Sequence, residues 1–327
     1  MKILVTGGAG FIGGNFVHYT LENYPDDEVV VLDKLTYAGC RATLAQWKDD
    51  TRFRFVQGDI CDRALTDTLM AEVDTVVHFA AESHVDRSIT EPTAFVQTNV
   101  VGTFTLLEAA RAQMDAGHTV RFHHISTDEV FGDLEADDAP FTEHTPYDPS
   151  SPYSASKAAS DHFVRAYYRT YGLPVTLSNC TNNYGPYHFP EKLIPLAITN
   201  MMDGKKVPVY GTGQQVRDWL FVIDHCRAID LIVRSGRIGE TYGVGGNNQL
   251  TNLDIVRMLA RLMERDPDDV ITFVEDRKGH DFRYDIDYTK IKEELDWAPR
   301  VTLEEGLAQT VAWYRANEDW WRSLSVR

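Results

Sequence analysis

The sequence predicts an α/β protein: a doubly wound parallel sheet followed by a smaller C-terminal substrate-binding domain. Three observations predict it. Short apolar, β-branched runs alternate with longer stretches of helical periodicity through the first half, the βαβ order of a parallel sheet whose crossovers are helices. The first run ends in a glycine-rich turn that opens a helix. From about Gly185 the alternation fails, with Pro186, Pro190, Pro195 and Pro208 interrupting it.

Taken in order, strands are expected at Lys2 to Thr6, Val29 to Asp33, Arg54 to Gly58, Thr75 to Ala80, Arg121 to Ser126 and Val175 to Cys180. Helical periodicity falls between them, at Phe11 to Asn23, Ala64 to Ala71, Thr93 to Ala116 and Tyr153 to Tyr171. The acidic stretch Asp133 to Ser150 reads as a solvated loop. Residues 1–185 are therefore assigned to the first domain and 186–327 to the second. Leu220 to Val222 and Glu240 to Val244 look like strands, so 220–245 is expected to rejoin the first sheet. Leu303 to Trp321 has helical periodicity, and its Trp313, Tyr314, Trp320 and Trp321 are expected to pack a core.

Composition removes several classes of function. A formal charge of −17 argues against nonspecific binding to nucleic acid or to an anionic membrane, so an anionic ligand must meet local cations. Hydrophobic residues at 43% and charged residues at 25% fit a folded protein with an ordinary core. No apolar run approaches the roughly 20 residues of a spanning helix. Cys40, Cys61, Cys180 and Cys226 show no CxxC pairing and no leader is apparent, which places the expected location in the reducing cytoplasm. Histidines lack a zinc spacing such as HExxH, His123 and His124 read as packing residues, and no metal is expected.

The turn Gly7-Gly8-Ala9-Gly10-Phe11-Ile12-Gly13 lets backbone amides approach a pyrophosphate at a helix N-terminus, as in a Rossmann-type dinucleotide site. Asp33 closes the next strand about 20 residues later, where a carboxylate accepts both ribose hydroxyls and repels a 2′-phosphate. NAD is therefore expected over NADP. Gly14 adds a second glycine to the first helical turn at a cost of roughly 1 kcal/mol, which close packing would excuse.

Tyr153 and Lys157 are four apart and share a helix face, where a cation is expected to help a phenol act as a base. Alcohol oxidation by a nicotinamide needs nothing more. The adjacent Asp128 and Glu129 add an acid and a base, and repulsion separates their pKa values, so elimination of water is the natural second reaction. Successive side chains of a strand face opposite ways, so irregular backbone is expected at this pair. On chemistry alone the pair could instead cap a turn, and the Tyr and Lys could be packing and surface residues.

These segments resemble those of the dTDP-glucose 4,6-dehydratases, within the extended short-chain dehydrogenase/reductase superfamily. The resemblance runs through Gly7 to Gly13, Leu32 to Gly39, Ala80 to Ser88, Thr127-Asp128-Glu129 and Tyr153 to Lys157. It continues through Asn182 to Tyr187, Pro190 to Pro195, Arg217-Asp218-Trp219 and Asp276 to His280. Cys40, Gly14 and Phe131 stand where Asn, Ser and Tyr are expected, and Lys278 where Pro is common.

The resemblance implies oxidation at C4 of the sugar by Tyr153, Lys157 and NAD, loss of water across C5 and C6 by Glu129 and Asp128, and reduction at C6, with Thr127 on the C4 oxygen. For the cofactor it implies Gly7, Gly10, Phe11, Ile12, Gly13, Asp33, Lys34, Leu35, Thr36, Asp59, Ile60, Ala80, Ala81, Ser83, Thr98, Tyr153, Lys157 and Asn182. For the substrate it implies Ser83, His84, Thr127, Asn183, Lys192, Leu193, Pro208, Tyr210, Arg217, Asn252, Arg277 and His280. Arg217 and Arg277 suit bidentate phosphate contacts, although surface ion pairing is the alternative. A homodimer through a four-helix bundle of Thr98 to Ala116 and Tyr153 to Tyr171 is also implied. UDP-glucose in place of dTDP-glucose, or a related nucleotide-sugar epimerase or decarboxylase, remains the alternative.

Overall fold

The computed structural model describes residues 1–276 and 279–324. Twelve strands are formed there: β1 (Lys2–Thr6), β2 (Glu28–Asp33), β3 (Phe53–Gln57), β4 (Thr75–His78), β5 (Arg121–Thr127), β6 (Val175–Cys180), β7 (Asn182–Tyr184), β8 (Val207–Tyr210), β9 (Val216–Phe221), β10 (Thr241–Val244), β11 (Gln249–Thr251) and β12 (Ile271–Val274). Seven make one sheet in the order β10-β6-β5-β4-β1-β2-β3, parallel at every pairing. The order reverses at β1, so a crevice opens beyond the carboxyl ends of β1 and β4.

Alternation along these strands feeds two apolar layers. Leu4, Val30, Leu32, Val76, Phe122, Val175 and Leu177 pack with Leu69, Leu106, Leu107 and Val164, which lie on the helices Arg63–Met70, Thr103–Asp115 and Pro152–Tyr171. Ile3, Val5, Val29, Val31, Val77 and Ile125 meet Phe16, Val17, Val222, Ile229 and Val233 of Phe11–Asn23 and Val222–Ser235. The fold class and the six expected N-terminal strands are therefore as anticipated, within a few residues.

The expected return of 220–245 to this sheet is half correct. β10 does pair with β6, but β9 pairs with β7 and β11 in a separate three-stranded sheet, and Val222 begins a helix. A second core surrounds that small sheet, where Ile194, Ile198, Trp219, Phe221, Val256, Leu259 and Leu307 pack together. The Leu303 to Trp321 segment breaks at Asn317 into Leu303–Ala316 and Glu318–Leu324, with Tyr314 and Trp321 buried in this core as expected.

Two other expectations need correction. The helix expected over Thr93 to Ala116 contains a π-helical stretch, Val96–Gly102, whose wide turn buries Asn99. The acidic loop is not merely solvated. Phe141 and Leu134 are buried within it, and Arg283 donates to the Glu135 and Asp138 carbonyls.

Candidate active site

The glycine turn forms a close cradle between β1 and its helix. Gly7 has φ +71°, and a Cβ on Gly13 would come within 2.4 Å of the Gly7 carbonyl oxygen. Asp33 terminates β2, its Oδ2 accepting from the Ala9 amide at 2.9 Å and its Oδ1 from Leu35 at 2.8 Å. That ties the carboxylate at the end of β2 to the glycine turn, so the residues fit a dinucleotide. Gly14 is explained by packing: a Cβ there would stand 2.7 Å from Thr43 Cγ2. Cys40 is buried, and its amide donates to the Ala9 carbonyl at 2.9 Å.

A cleft of about 530 Å³ runs from this cradle to the C-terminal region. It is lined by Gly7, Gly10, Phe11, Ile12, Gly13, Asp33, Lys34, Thr36, Asp59, Ile60, Ala80, Ala81, Ser83 and Thr98, and by Tyr153, Lys157 and Asn182. The same wall continues through His84, Thr127, Asp128, Glu129, Asn183, Lys192, Leu193, Pro208, Tyr210, Arg217, Asn252 and His280. Leu35 is not part of the lining; it is held at φ +58° beside Asp33. Arg277 lies outside the described residues, as does Lys278.

Chain direction explains how two consecutive carboxylates face one cleft. β5 ends at Thr127, and Asp128–Phe131 is a short 3-10 turn closed by Gly132 at φ +93°. This is the irregular backbone that the pair requires. Thr127 Oγ1 accepts from the Glu129 amide at 3.3 Å and donates to Asp128 Oδ1 at 3.2 Å. Burial, then the neighbouring Glu129 charge, pushes the Asp128 carboxyl well above the usual carboxylate range. This shift favours the protonated form of Asp128, while Glu129 is only partly buried.

The helix Pro152–Tyr171 starts cleanly, with a capping box between Ser151 and Ser154 and a proline at its first position, and ends at Gly172 in the left-handed region. Its first turns carry Tyr153 and Lys157. Lys157 Nζ donates to the Ile125 carbonyl at 2.7 Å, which pins the ammonium to β5. Burial, followed by the charge of Glu129, pushes the Tyr153 phenol well up, and a hydrogen bond with Thr127 only partly offsets it. Lys157 itself is lowered by burial.

Several cleft residues escaped the sequence reading. Tyr37 stacks under the Arg87 guanidinium at 4.0 Å and meets the edge of Phe189. Glu191 lies 3.5 Å from His84, and Cys180, His188 and Trp219 complete the wall. Tyr37, Glu191 and Trp219 sit inside the motifs already noted, so a signal was present. Cys180 and His188 gave none. Arg217 is 4% exposed and donates to the Val216, Asp281 and Phe282 carbonyls, with its guanidinium 4.3 Å from the Tyr284 ring centre. These bonds fix the cation in the cleft wall. Lys34 pairs with Asp59 at 2.6 Å, and His280 Nδ1 meets Asp276 at 2.6 Å.

A dinucleotide cradle opening onto a Tyr and Lys pair, with an acid and a base added, defines a nicotinamide-dependent enzyme that does more than oxidise. A family model described as GDP-mannose 4,6 dehydratase matches residues 4–310. A dTDP-glucose 4,6-dehydratase of Neisseria meningitidis is 56% identical over 99% of this chain and 96% of its own length. That of Mycobacterium tuberculosis is 57% identical over the same shares. The crystal structure of a dTDP-glucose 4,6-dehydratase from Streptomyces venezuelae with NAD bound superposes with a TM-score of 0.94, at 52% identity over 99% of this chain and 100% of the other. The chain belongs to the dTDP-glucose 4,6-dehydratase family.

Proposed function

We propose that this enzyme converts dTDP-glucose to dTDP-4-keto-6-deoxyglucose and water, with NAD as a cofactor regenerated each turn. The observation that carries it is the convergence of Asp128, Glu129, Tyr153 and Lys157 on the cleft that begins at the glycine cradle. NAD bound there supplies the reversible redox step, accepting hydrogen from C4 and returning it to C6.

The side chains do the rest. Tyr153 takes the C4 hydroxyl proton, held in place at the start of its helix with Lys157 one turn on. The resulting ketone acidifies C5, and Glu129 removes that proton while Asp128 protonates the departing C6 hydroxyl. Glu129 then returns its proton to C5. Arg217 and Lys192 are the described cations that we assign to the diphosphate, with Asn183 beside them. An epimerase keeps the Tyr and Lys but has no comparable use for Asp128 and Glu129, which favours the dehydratase.

Incubation with dTDP-glucose, UDP-glucose and GDP-mannose in turn tests this reading. The dehydrated product, one water lighter and absorbing in alkali, is expected from dTDP-glucose. Preference for UDP-glucose would overturn the nucleotide assignment.

We also propose a homodimer. Val101, Phe104, Phe163, Tyr168 and Tyr171 are exposed on the helices Thr103–Asp115 and Pro152–Tyr171 or on the π-helical stretch before them, apolar area that a four-helix bundle would cover. Gel filtration at micromolar concentration should give the dimer mass. None of the described helices is long and apolar enough to cross a membrane, and all four cysteines are free thiols, which supports a cytoplasmic location.

A further inference from the structure

The dehydration leaves a proton account to be closed. Hydrogen moves from C4 to C6, and the C5 proton leaves and returns, so the expelled water consists of the C6 hydroxyl plus the proton that was on the C4 oxygen. That proton is taken at Tyr153 but delivered by Asp128. Without a path between the two, each turnover ends with Tyr153 carrying one proton too many and Asp128 one too few.

Thr127 stands between them. Its Oγ1 donates to Asp128 Oδ1 at 3.2 Å, and it shares the cleft wall with Tyr153, whose proton affinity it lowers. All three are nearly sealed, at 8%, 2% and 8% exposure for Thr127, Asp128 and Tyr153. The Glu129 amide donates to the same Oγ1 at 3.3 Å and so fixes the hydroxyl at the strand end. Asp128 Oδ2 is buried and has no hydrogen-bond partner among the described residues. A half-turn about the Asp128 Cβ–Cγ bond therefore breaks only the bond to Thr127.

Resting on the functional reading above, we propose that Thr127 relays the proton taken from the C4 oxygen at Tyr153 to Asp128, from which it leaves in the water expelled at C6. Once Asp128 has given its proton to the departing C6 hydroxyl, the proton that Tyr153 took from the C4 oxygen passes to Thr127 Oγ1 and the Thr127 proton to the Asp128 carboxylate. Two O–H bonds break, at Tyr153 and Thr127, and two form, at Thr127 and Asp128. In the next turnover the reprotonated carboxyl turns and donates to the C6 hydroxyl as the C6–O bond breaks. Tyr153, Thr127 and Asp128 end as they began, and solvent supplies nothing.

Two experiments test the relay on the NAD-loaded enzyme. In the wild type, one turnover of dTDP-glucose in weak buffer with a pH indicator should show no transient proton release beyond that seen on mixing with dTDP alone. Release and re-uptake of one proton per site overturns the relay. In rapid-quench progress curves, T127S should run in a single phase. T127V should show a burst of up to one product per site, then a steady rate at least tenfold slower that rises with added imidazole, which shuttles protons from outside. A T127V slowed equally in its first and later turnovers, or a slow phase indifferent to imidazole, overturns it. A wild type that forms no dehydrated sugar would overturn the functional reading and the relay together. Product formed with transient proton release removes the relay alone.

Discussion

Asp161 stands one helical turn beyond Lys157, and the two are sealed from solvent together, at 0% and 5% exposure. Asp161 Oδ2 accepts from Ser126 Oγ at 2.7 Å and from Tyr147 OH at 2.9 Å, and Oδ1 lies 3.1 Å from His124 Nε2. Burial opposes the charge of Asp161, but its contact with His124, the charge of Lys157 and the bond from Ser126 outweigh it and hold the carboxyl below its usual value. Asp161 in turn raises the proton affinity that burial takes from Lys157. The cation beside Tyr153 therefore depends on a buried anion that is not part of the cleft lining.

Replacing Asp161 by Asn should cost about 3–5 kcal/mol, the usual consequence of leaving one member of a buried charge network unpaired. Because the folded pKa is lowered, this stability is present above the unfolded carboxylate value and lost as pH falls through the folded one. Urea unfolding at pH 7 measures it. Equal stability of D161N and wild type would contradict the account.

Glu129→Gln should oxidise C4 but fail to release the C5 proton, so reduced cofactor accumulates and product formation falls by about 10²- to 10⁴-fold. Stopped-flow absorbance of the cofactor reads this. Tyr153→Phe should instead show no reduced cofactor at all. A Glu129→Gln enzyme that dehydrates at the wild-type rate would remove Glu129 from the reaction.

Acid should unfold this protein partly through its histidines. His124 and His225 are fully buried, and burial lowers their pKa values to about 4 and about 3 from 6.5. Groups with depressed folded pKa values bind protons on unfolding, so their contribution is present above 6.5 and lost as pH falls toward 4 and then 3. Tm should drop across that window with net proton uptake on unfolding, measurable by calorimetry in buffers of different ionisation enthalpy. An unfolding transition with no proton uptake between pH 6 and 4 would refute this, values set by the same two groups.

Gly14→Ala offers a test of close packing against helix propensity. Alanine favours the helix by roughly 1 kcal/mol, whereas overpacking against Thr43 Cγ2 costs about 1–3 kcal/mol. Net destabilisation is expected, and adding Thr43→Ser, which removes that methyl, should restore the loss. If Gly14→Ala alone stabilises the protein in thermal melts, the contact is looser than it stands.

The main sheet was legible because each N-terminal strand buries a continuous β-branched run and each crossover has its own periodicity. β7 and β11 are three residues each, too short for any period to register, and so the second sheet was not anticipated and β9 was assigned to the wrong one. The residues assigned to catalysis were picked out by their spacing, and the need for the chain to leave its strand at Asp128 is met by the 3-10 turn there. The effect of burial on Tyr153 was not legible, since it depends on groups distant in sequence. Asp161 had a signal in its position four residues past Lys157, where helical geometry sets it on the same face.

β10 and the helix Val222–Ser235 have a consequence for biosynthesis. Val222, Cys226, Ile229 and Val233 cover the side of the sheet formed by Ile3, Val5, Val29 and Val31, yet they are translated some two hundred residues later. A nascent chain ending near residue 185 must hold a greasy, half-clothed sheet while the ribosome works on, at about 5–20 residues per second. Chaperone capture during that interval, and aggregation of fragments truncated before residue 244, follow from the order in which the chain is made.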